Sequence, residues 1–260
     1  MRMRVALLSV VVLACRLSDA AWAGQPDSPY MQPTFERLMD AVTLRVSFDD
    51  ASMVPEMAEG DEHQPNVFAS SSKGATGPRF AEGLVGRALV LGTGGATYPR
   101  KGNVLLERRG AIAVWVRPEG WQRPNDHNTV FAMTSRATFY LQRQGPAVDK
   151  DGRVRRHEAV QYLAAGPDGQ LTCITGGSDW ANGRWYLLVA NWSWPTFELS
   201  VNGQPFKGRS LSGMPKPETF GNLVLGARSG QKRGLLDEFL AFRRPLALDE
   251  VRLLHTTFKR

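Results

Sequence analysis

The chain has 260 residues, 42% of them hydrophobic and 22% charged, with 26 glycines, 16 prolines and a formal net charge of +7. The basic residues are scattered in short runs such as Arg100-Lys101, Arg108-Arg109, Arg153 to Arg156, Lys232-Arg233 and Arg243-Arg244, and they mark no recognition motif. Nucleic acid is therefore not an expected partner; the scattered excess reads first as solvated turns, with acidic glycans or an anionic cell surface as the partners long-range attraction would favour.

The N-terminus opens Met1-Arg2-Met3-Arg4, continues with the uncharged run Val5 to Ala14, and reaches Ala21-Trp22-Ala23. A basic start, a short apolar run and an A-x-A site predict a secretory signal peptide over residues 1–23, cleaved after Ala23. The apolar run falls well short of the roughly 20 residues that cross a bilayer. Val12-Leu13-Ala14-Cys15 also resembles a bacterial lipoprotein box, in which Cys15 would become a lipidated first residue. The expectation is export to the periplasm, the cell surface or the medium, with no transmembrane segment. Removing residues 1–23 leaves 29 basic against 24 acidic side chains, a net charge of +5. It also leaves Cys173 as the sole cysteine, so no internal disulfide can form. In Leu-Thr-Cys-Ile-Thr, that thiol reads as a small hydrophobe packed in a strand.

Residues 24–41, with Pro26, Pro29 and Pro33, read as a linker running into one helical turn near Phe35 to Met39. From residue 42 to 260 a single domain of short strands, punctuated by glycine and proline, is expected. The predicted strands are Val42–Phe48, Ala88–Leu91, Val104–Glu107, Ala111–Arg117, Thr129–Met133 and Thr138–Arg143. They continue with Glu158–Ala164, Leu171–Thr175, Trp185–Trp192, Phe197–Val201, Leu223–Leu225 and Leu235–Phe242. In Ala111–Arg117, Ile112, Val114 and Val116 share one face while Ala113, Trp115 and Arg117 share the other. Asn202-Gly203 and Asp168-Gly169 signal tight turns. Gly92-Thr93-Gly94-Gly95 also reads as a turn, because no helix follows it. Residues 49–79 form an acidic stretch whose length inside a compact domain marks it as functional or mobile. A short helix after Leu246 closes the chain; Ala247 cannot cap it, but Asp249 and Glu250 suit its first turn. The fold class is all-β, a jelly-roll sandwich of two antiparallel sheets with a short C-terminal helix.

The order of motifs resembles the concanavalin A-like lectin/glucanase superfamily, and within it the laminin-G-like jelly rolls of bacterial exported proteins. The resemblance is carried by L-R-V-S-F-D-D at 44–50, P-R-F-A-E-G-L-V-G-R-A-L-V-L-G at 78–92, and the run from Tyr98 to Pro118. It continues in G-R-W-Y-L-L-V-A-N-W at 183–192, F-E-L-S-V-N-G at 197–203 and G-L-L-D-E-F-L-A-F-R-R-P-L from Gly234. Tyr186-Leu187 depart from the histidines often found after the tryptophan at position 185. The resemblance implies a structural calcium ion joining the first and last strands, with Asp49, Asp50 and Asp237 at the matching positions. Carboxylate and carbonyl oxygens are the ligands calcium prefers, although it takes roughly six to eight of them. Zinc is not expected, because His63, His127, His157 and His255 are dispersed.

Trp115, Trp185 and Trp192 lie within predicted strands and read as packing residues. Trp121, Trp180 and Trp194 lie in loops rich in Asn, Asp and Arg, and are the candidate ligand-binding residues, as platforms for sugar rings. No catalytic residue is assigned. A glycosidase needs two acids flanking one bond; the E-x-D-x-x-E run of the related glucanases is missing, and Glu238, following Asp237, is expected on the opposite face of its strand. The expected function is an exported non-catalytic binding module for carbohydrate or another cell-surface component. The alternatives are a polysaccharide-active hydrolase or lyase on the same sandwich, and a structural protein-interaction domain of the cell envelope.

Overall fold

A computed structural model describes residues 33–258, except 61–63, 72–75, 108, 121–126, 135–137, 158, 177–179 and 227–233. The segment expected to be a signal peptide, with Cys15, and the residue Trp121 lie outside the described residues.

Helix α1 (Phe35–Met39) comes first, followed by β1 (Val42–Val46), β2 (Met57–Ala58), β3 (Asn66–Ala69), β4 (Phe80–Glu82), β5 (Arg87–Val90) and β6 (Gly94–Tyr98). Next come β7 (Arg109–Arg117), β8 (His127–Thr134), β9 (Thr138–Gln144), β10 (Ala147–Val148), β11 (Val154–Arg156), β12 (Ala159–Ala165) and β13 (Leu171–Gly176). The chain closes with β14 (Tyr186–Ser193), β15 (Thr196–Val201), β16 (Lys207–Ser210), β17 (Leu223–Gly226), β18 (Leu235–Phe242) and helix α2 (Leu248–Phe258). A nine-stranded sheet runs β16-β15-β14-β7-β18-β1-β2, with β5 also on β18 and β4 on β5. A seven-stranded sheet runs β13-β12-β9-β8-β17-β6-β3, and β10 and β11 form a separate hairpin. All pairings are antiparallel, and Val46 lies opposite Phe239, so the first and last strands are neighbours. Among the described residues no helix is long and apolar enough to cross a membrane.

The alternation in β7 shows why the layers stack. Ile112, Val114 and Val116 enter the core between the sheets, together with Leu188 and Trp192 of β14 and Phe139, Leu141 and Tyr162 from the opposing sheet. Phe139 is the hub: the rings of Tyr162, Trp192, Trp194 and Phe220 meet it edge-on at 5.4–5.9 Å, the geometry aromatic quadrupoles favour. The other face of β7 enters a second core. Ala111, Ala113 and Trp115, with Leu187, Val189 and Leu240, pack under Leu38 of α1 and Val251 and Leu254 of α2. The nine-stranded sheet is thus covered on both sides. Phe35 and Phe258 bring the two helices together, ring to ring, at 5.9 Å.

A buried asparagine ties α2 to the sheet. Asn191 donates from Nδ2 to the Leu246 carbonyl at 2.9 Å and accepts from the Leu246 N–H at 3.0 Å. Ala247 supplies no cap, but Glu250 reaches back to its N–H at 2.8 Å and takes the Arg244 fork at 2.7 and 2.6 Å. This is half of a capping box with an arginine added. Burial opposes the charge on Glu250, yet the Arg244 and Ala247 hydrogen bonds outweigh it and hold the carboxyl below its usual range.

Three sequence expectations differ from the structure. Val104–Glu107 is not a strand: Val104 and Leu106 are buried in an irregular turn, and the Leu105 and Leu106 carbonyls accept the indole N–H groups of Trp192 and Trp194. Gly94 and Gly95 open β6 instead of closing a turn. A Cβ on Gly95 would collide with the Leu225 carbonyl oxygen, so glycine here permits close strand approach. The acidic stretch 49–79 contains β2 and β3.

Candidate functional site

Two places were expected to carry function, the junction of first and last strands and the loop tryptophans. At the junction, Asp237 lies opposite Trp115 and Leu240 opposite Ala113, so Glu238 and Phe239 together face Val114. This is a β-bulge, and it interrupts the two-residue alternation. Glu238 adopts a left-handed φ of 45°, and both carboxylates are buried, at 0% and 1% exposure. Asp237 thus keeps the Trp115 face of the sheet, and Glu238 shares the Val114 face with Phe239.

Asp237 is fully committed to the main chain. Its Oδ2 accepts from Leu84 N at 2.7 Å and Val85 N at 3.1 Å, and its Oδ1 from Glu238 N at 2.9 Å. Gly83 opens this turn because a Cβ there would lie 2.5 Å from Oδ2. Burial pushes the Asp237 carboxyl up to about 8 against the pull of those N–H groups, with the Glu238 charge adding to the rise. Glu238 reaches Arg45 of β1, Oε2 to Nη2, at 3.3 Å. Burial raises its carboxyl to about 7; Arg45 pulls it down, while the charges of Asp49 and Glu56 push it up. Glu56 spends both oxygens on Ser47, at 2.9 Å to the N–H and 2.6 Å to the hydroxyl. Asp49 accepts from Arg87 N at 3.2 Å, and Asp50 is exposed at the following turn.

These donors do not form a calcium cradle. Asp237 and Glu56 are occupied by N–H and O–H donors on both oxygens, and an arginine holds Glu238, whereas calcium takes roughly six to eight oxygens. Among the described residues no three His, Cys, Asp or Glu side chains are grouped to hold a metal. In the arrangement described, Asp237 anchors the turn at 83–86, Asp49 accepts from the first N–H of β5, and Asp50 faces solvent.

Trp180 and Trp194 lie in loops, as expected, with their rings turned inward. Both indoles belong to the inter-sheet core, at 2% and 8% exposure. Trp180 packs on Tyr186 at 4.6 Å, and Trp194 donates to the Leu106 carbonyl at 2.8 Å. Neither presents a ring face to solvent. Trp115 and Trp192 are buried as packing residues, and Arg117 lies over the half-buried Trp185 ring at 5.5 Å.

The broad surface that remains is the outer face of the seven-stranded sheet. In β9, Phe139, Leu141 and Arg143 are buried while Tyr140, Gln142 and Gln144 are half-exposed. Tyr140 lies opposite Leu163 of β12, and Leu163 opposite Cys173 of β13. The neighbouring row is Gln142, Gln161 and Thr175. Leu163 is 8% exposed, yet it belongs to neither core cluster, so its cover comes from this outer layer. Gln142 Nε2 donates to Gln161 Oε1 at 3.1 Å. Burial first, and Cys173 second, raise the Tyr140 phenol, which keeps it protonated as a hydrogen-bond donor. Strands β8, β9, β12 and β13 contain no Asp or Glu. The face is thus a phenol, two linked amides and a hydroxyl around a small apolar centre. Its strands were legible in the sequence. The open face was missed because nothing local says which sheet the helices cover.

Over residues 92–252 the sequence matches the laminin-G family model described as the concanavalin A-like lectin/glucanases superfamily. The chain belongs to that superfamily. Solved structures of similar shape include the binding domain of Paraclostridial Mosquitocidal Protein 1, at 13% identity and a TM-score of 0.61, covering 85% of this chain and 53% of that one. The binding domain of botulinum neurotoxin serotype D is similar at 9% identity and a TM-score of 0.62, covering 84% of this chain and 52% of that chain. The serotype D domain in complex with N-acetylneuraminic acid matches at 8% identity and a TM-score of 0.59, covering 84% and 51%. The superfamily member described here spans about half the length of these domains, and at such identities the likeness is one of fold. No match is found among curated protein sequences.

Proposed function

We propose that the chain is an exported, non-catalytic binding module for a carbohydrate, and that the ligand lies on the outer face of the seven-stranded sheet around Tyr140, Gln142, Gln161 and Thr175. The observation that carries this reading is the asymmetry of the two outer faces. Helices α1 and α2 close one, and the other displays an aromatic ring beside paired amides. A ring face and neutral hydrogen-bonding groups suit the C–H faces and hydroxyls of a sugar. Support also comes from the jelly-roll neighbours, which are binding domains, one of them in complex with N-acetylneuraminic acid. The signal-like N-terminus supports export. Strands β8, β9, β12 and β13, which carry no carboxylate, favour binding over the paired-acid chemistry of glycosidases.

The test is a glycan array followed by calorimetry on the hits. Tyr140→Ala and Gln161→Ala are each expected to weaken binding about tenfold, the loss of roughly one good contact, with little change in melting temperature. Absence of any glycan hit, or unaltered affinity in both variants, overturns the proposal.

A further inference from the structure

We infer that Arg45 is a built-in cation, supplied by the first strand to the carboxylates of the last strand where this superfamily is expected to place a calcium ion. The junction contains the acids that would call for a metal. Glu238 is 1% exposed, and the charges of Asp49 and Glu56 both act on it. Its Oε1 is buried without a hydrogen-bond partner. An anion so placed is costly without a counter-charge. The counter-charge present is the Arg45 guanidinium, 3.3 Å from Oε2. The Nε of Arg45 is likewise buried and, among the described residues, has no acceptor, so this cation is committed to the cluster. Arg45 lies across from Leu240 in the register of β1 and β18. The side chain therefore rises from the strand adjacent to the bulge that turns Glu238 toward it. A divalent ion at Glu238 would have to sit beside a fixed positive charge, and the other carboxylates are already spent on Ser47, Arg87, Leu84 and Val85. The guanidinium and a metal are mutually exclusive here. The first-to-last strand seam is accordingly independent of divalent cations, and removing the arginine leaves an anionic hole that a divalent ion can enter.

The experiment is thermal unfolding of the whole chain at about pH 8, with EDTA and with calcium, for the native protein, Arg45→Gln and Arg45→Lys. The native protein is expected to melt at the same temperature in EDTA and in calcium. Arg45→Gln is expected to melt about 5–10 °C lower in EDTA, the scale for breaking a partly screened buried pair in a domain of this size. Calcium well above its dissociation constant should then restore several degrees by mass action. Arg45→Lys, which keeps the charge but not the fork, should fall between the two and stay insensitive to calcium. A native melting temperature that drops in EDTA overturns the inference, because a metal would then be bound beside Arg45. So does an Arg45→Gln protein that melts like the native one, or that ignores calcium. If Arg45→Gln fails to fold, the native and Arg45→Lys arms decide the matter alone.

Discussion

Asn191 offers the sharpest test of how the closing helix is held. Its side chain satisfies both the N–H and the C=O of Leu246, at 3.0 and 2.9 Å, and both residues are buried. Asn191→Ala would strand those two backbone groups in an apolar layer, and each costs about 1–3 kcal/mol when left unpaired. Allowing for partial relaxation, the expected loss is about 3–5 kcal/mol, or on the order of 10 °C in melting temperature for a domain of this length. Asn191→Asp keeps the acceptor for Leu246 N but sets a carboxylate against the Leu246 carbonyl oxygen, so it should cost at least as much. Urea unfolding followed by tryptophan fluorescence measures the total. Amide exchange should show α2 losing protection before the strands do. A loss below about 1 kcal/mol in both variants would show that the clamp adds little and that apolar packing alone seats the helix.

The buried acids give a pH signature. The folded-state carboxyls of Asp237 and Glu238 are raised to about 8 and about 7 by burial, so their contribution is complete below pH of about 4 and is lost as pH rises through those values. Stability should therefore decline between about pH 5 and pH 8.5, and Asp237→Asn, compared with the native chain by thermal melts across that range, should flatten the decline. A native stability that climbs steadily across the range would contradict the assignment. Trp194→Phe should cost about 1–2 kcal/mol by removing the hydrogen bond to the Leu106 carbonyl, and Trp194→Ala about 3–5 kcal/mol by opening a cavity beside Phe139. In both, glycan affinity of the folded protein should be unchanged; lost binding with intact stability would return Trp194 to the ligand site.

Particular residues show where the sequence was readable. Ile112, Val114 and Val116 alternate cleanly because one side of β7 meets the opposing sheet, and Asn202-Gly203 is a turn with φ of 52° and 70°. The bulge at Asp237 and Glu238 was not foreseen, because it has no signature in a string of letters beyond an unusual pair of acids. Trp180 and Trp194 sit in polar loops, and only the three-dimensional path shows those loops folding back over the core. Lys207–Ser210 escaped notice because an exposed edge strand needs no apolar residue. Tyr140 and Gln161 were placed correctly on strands, but their importance depends on no helix covering them among the described residues.

The meeting of Phe35 with Phe258 sets the two faces of the sandwich apart. Both residues sit on the helical side of the nine-stranded sheet, away from the face that carries Tyr140. A label carried on the exposed side of α2 would therefore report on the seating of the helices and leave the surface around Tyr140 untouched.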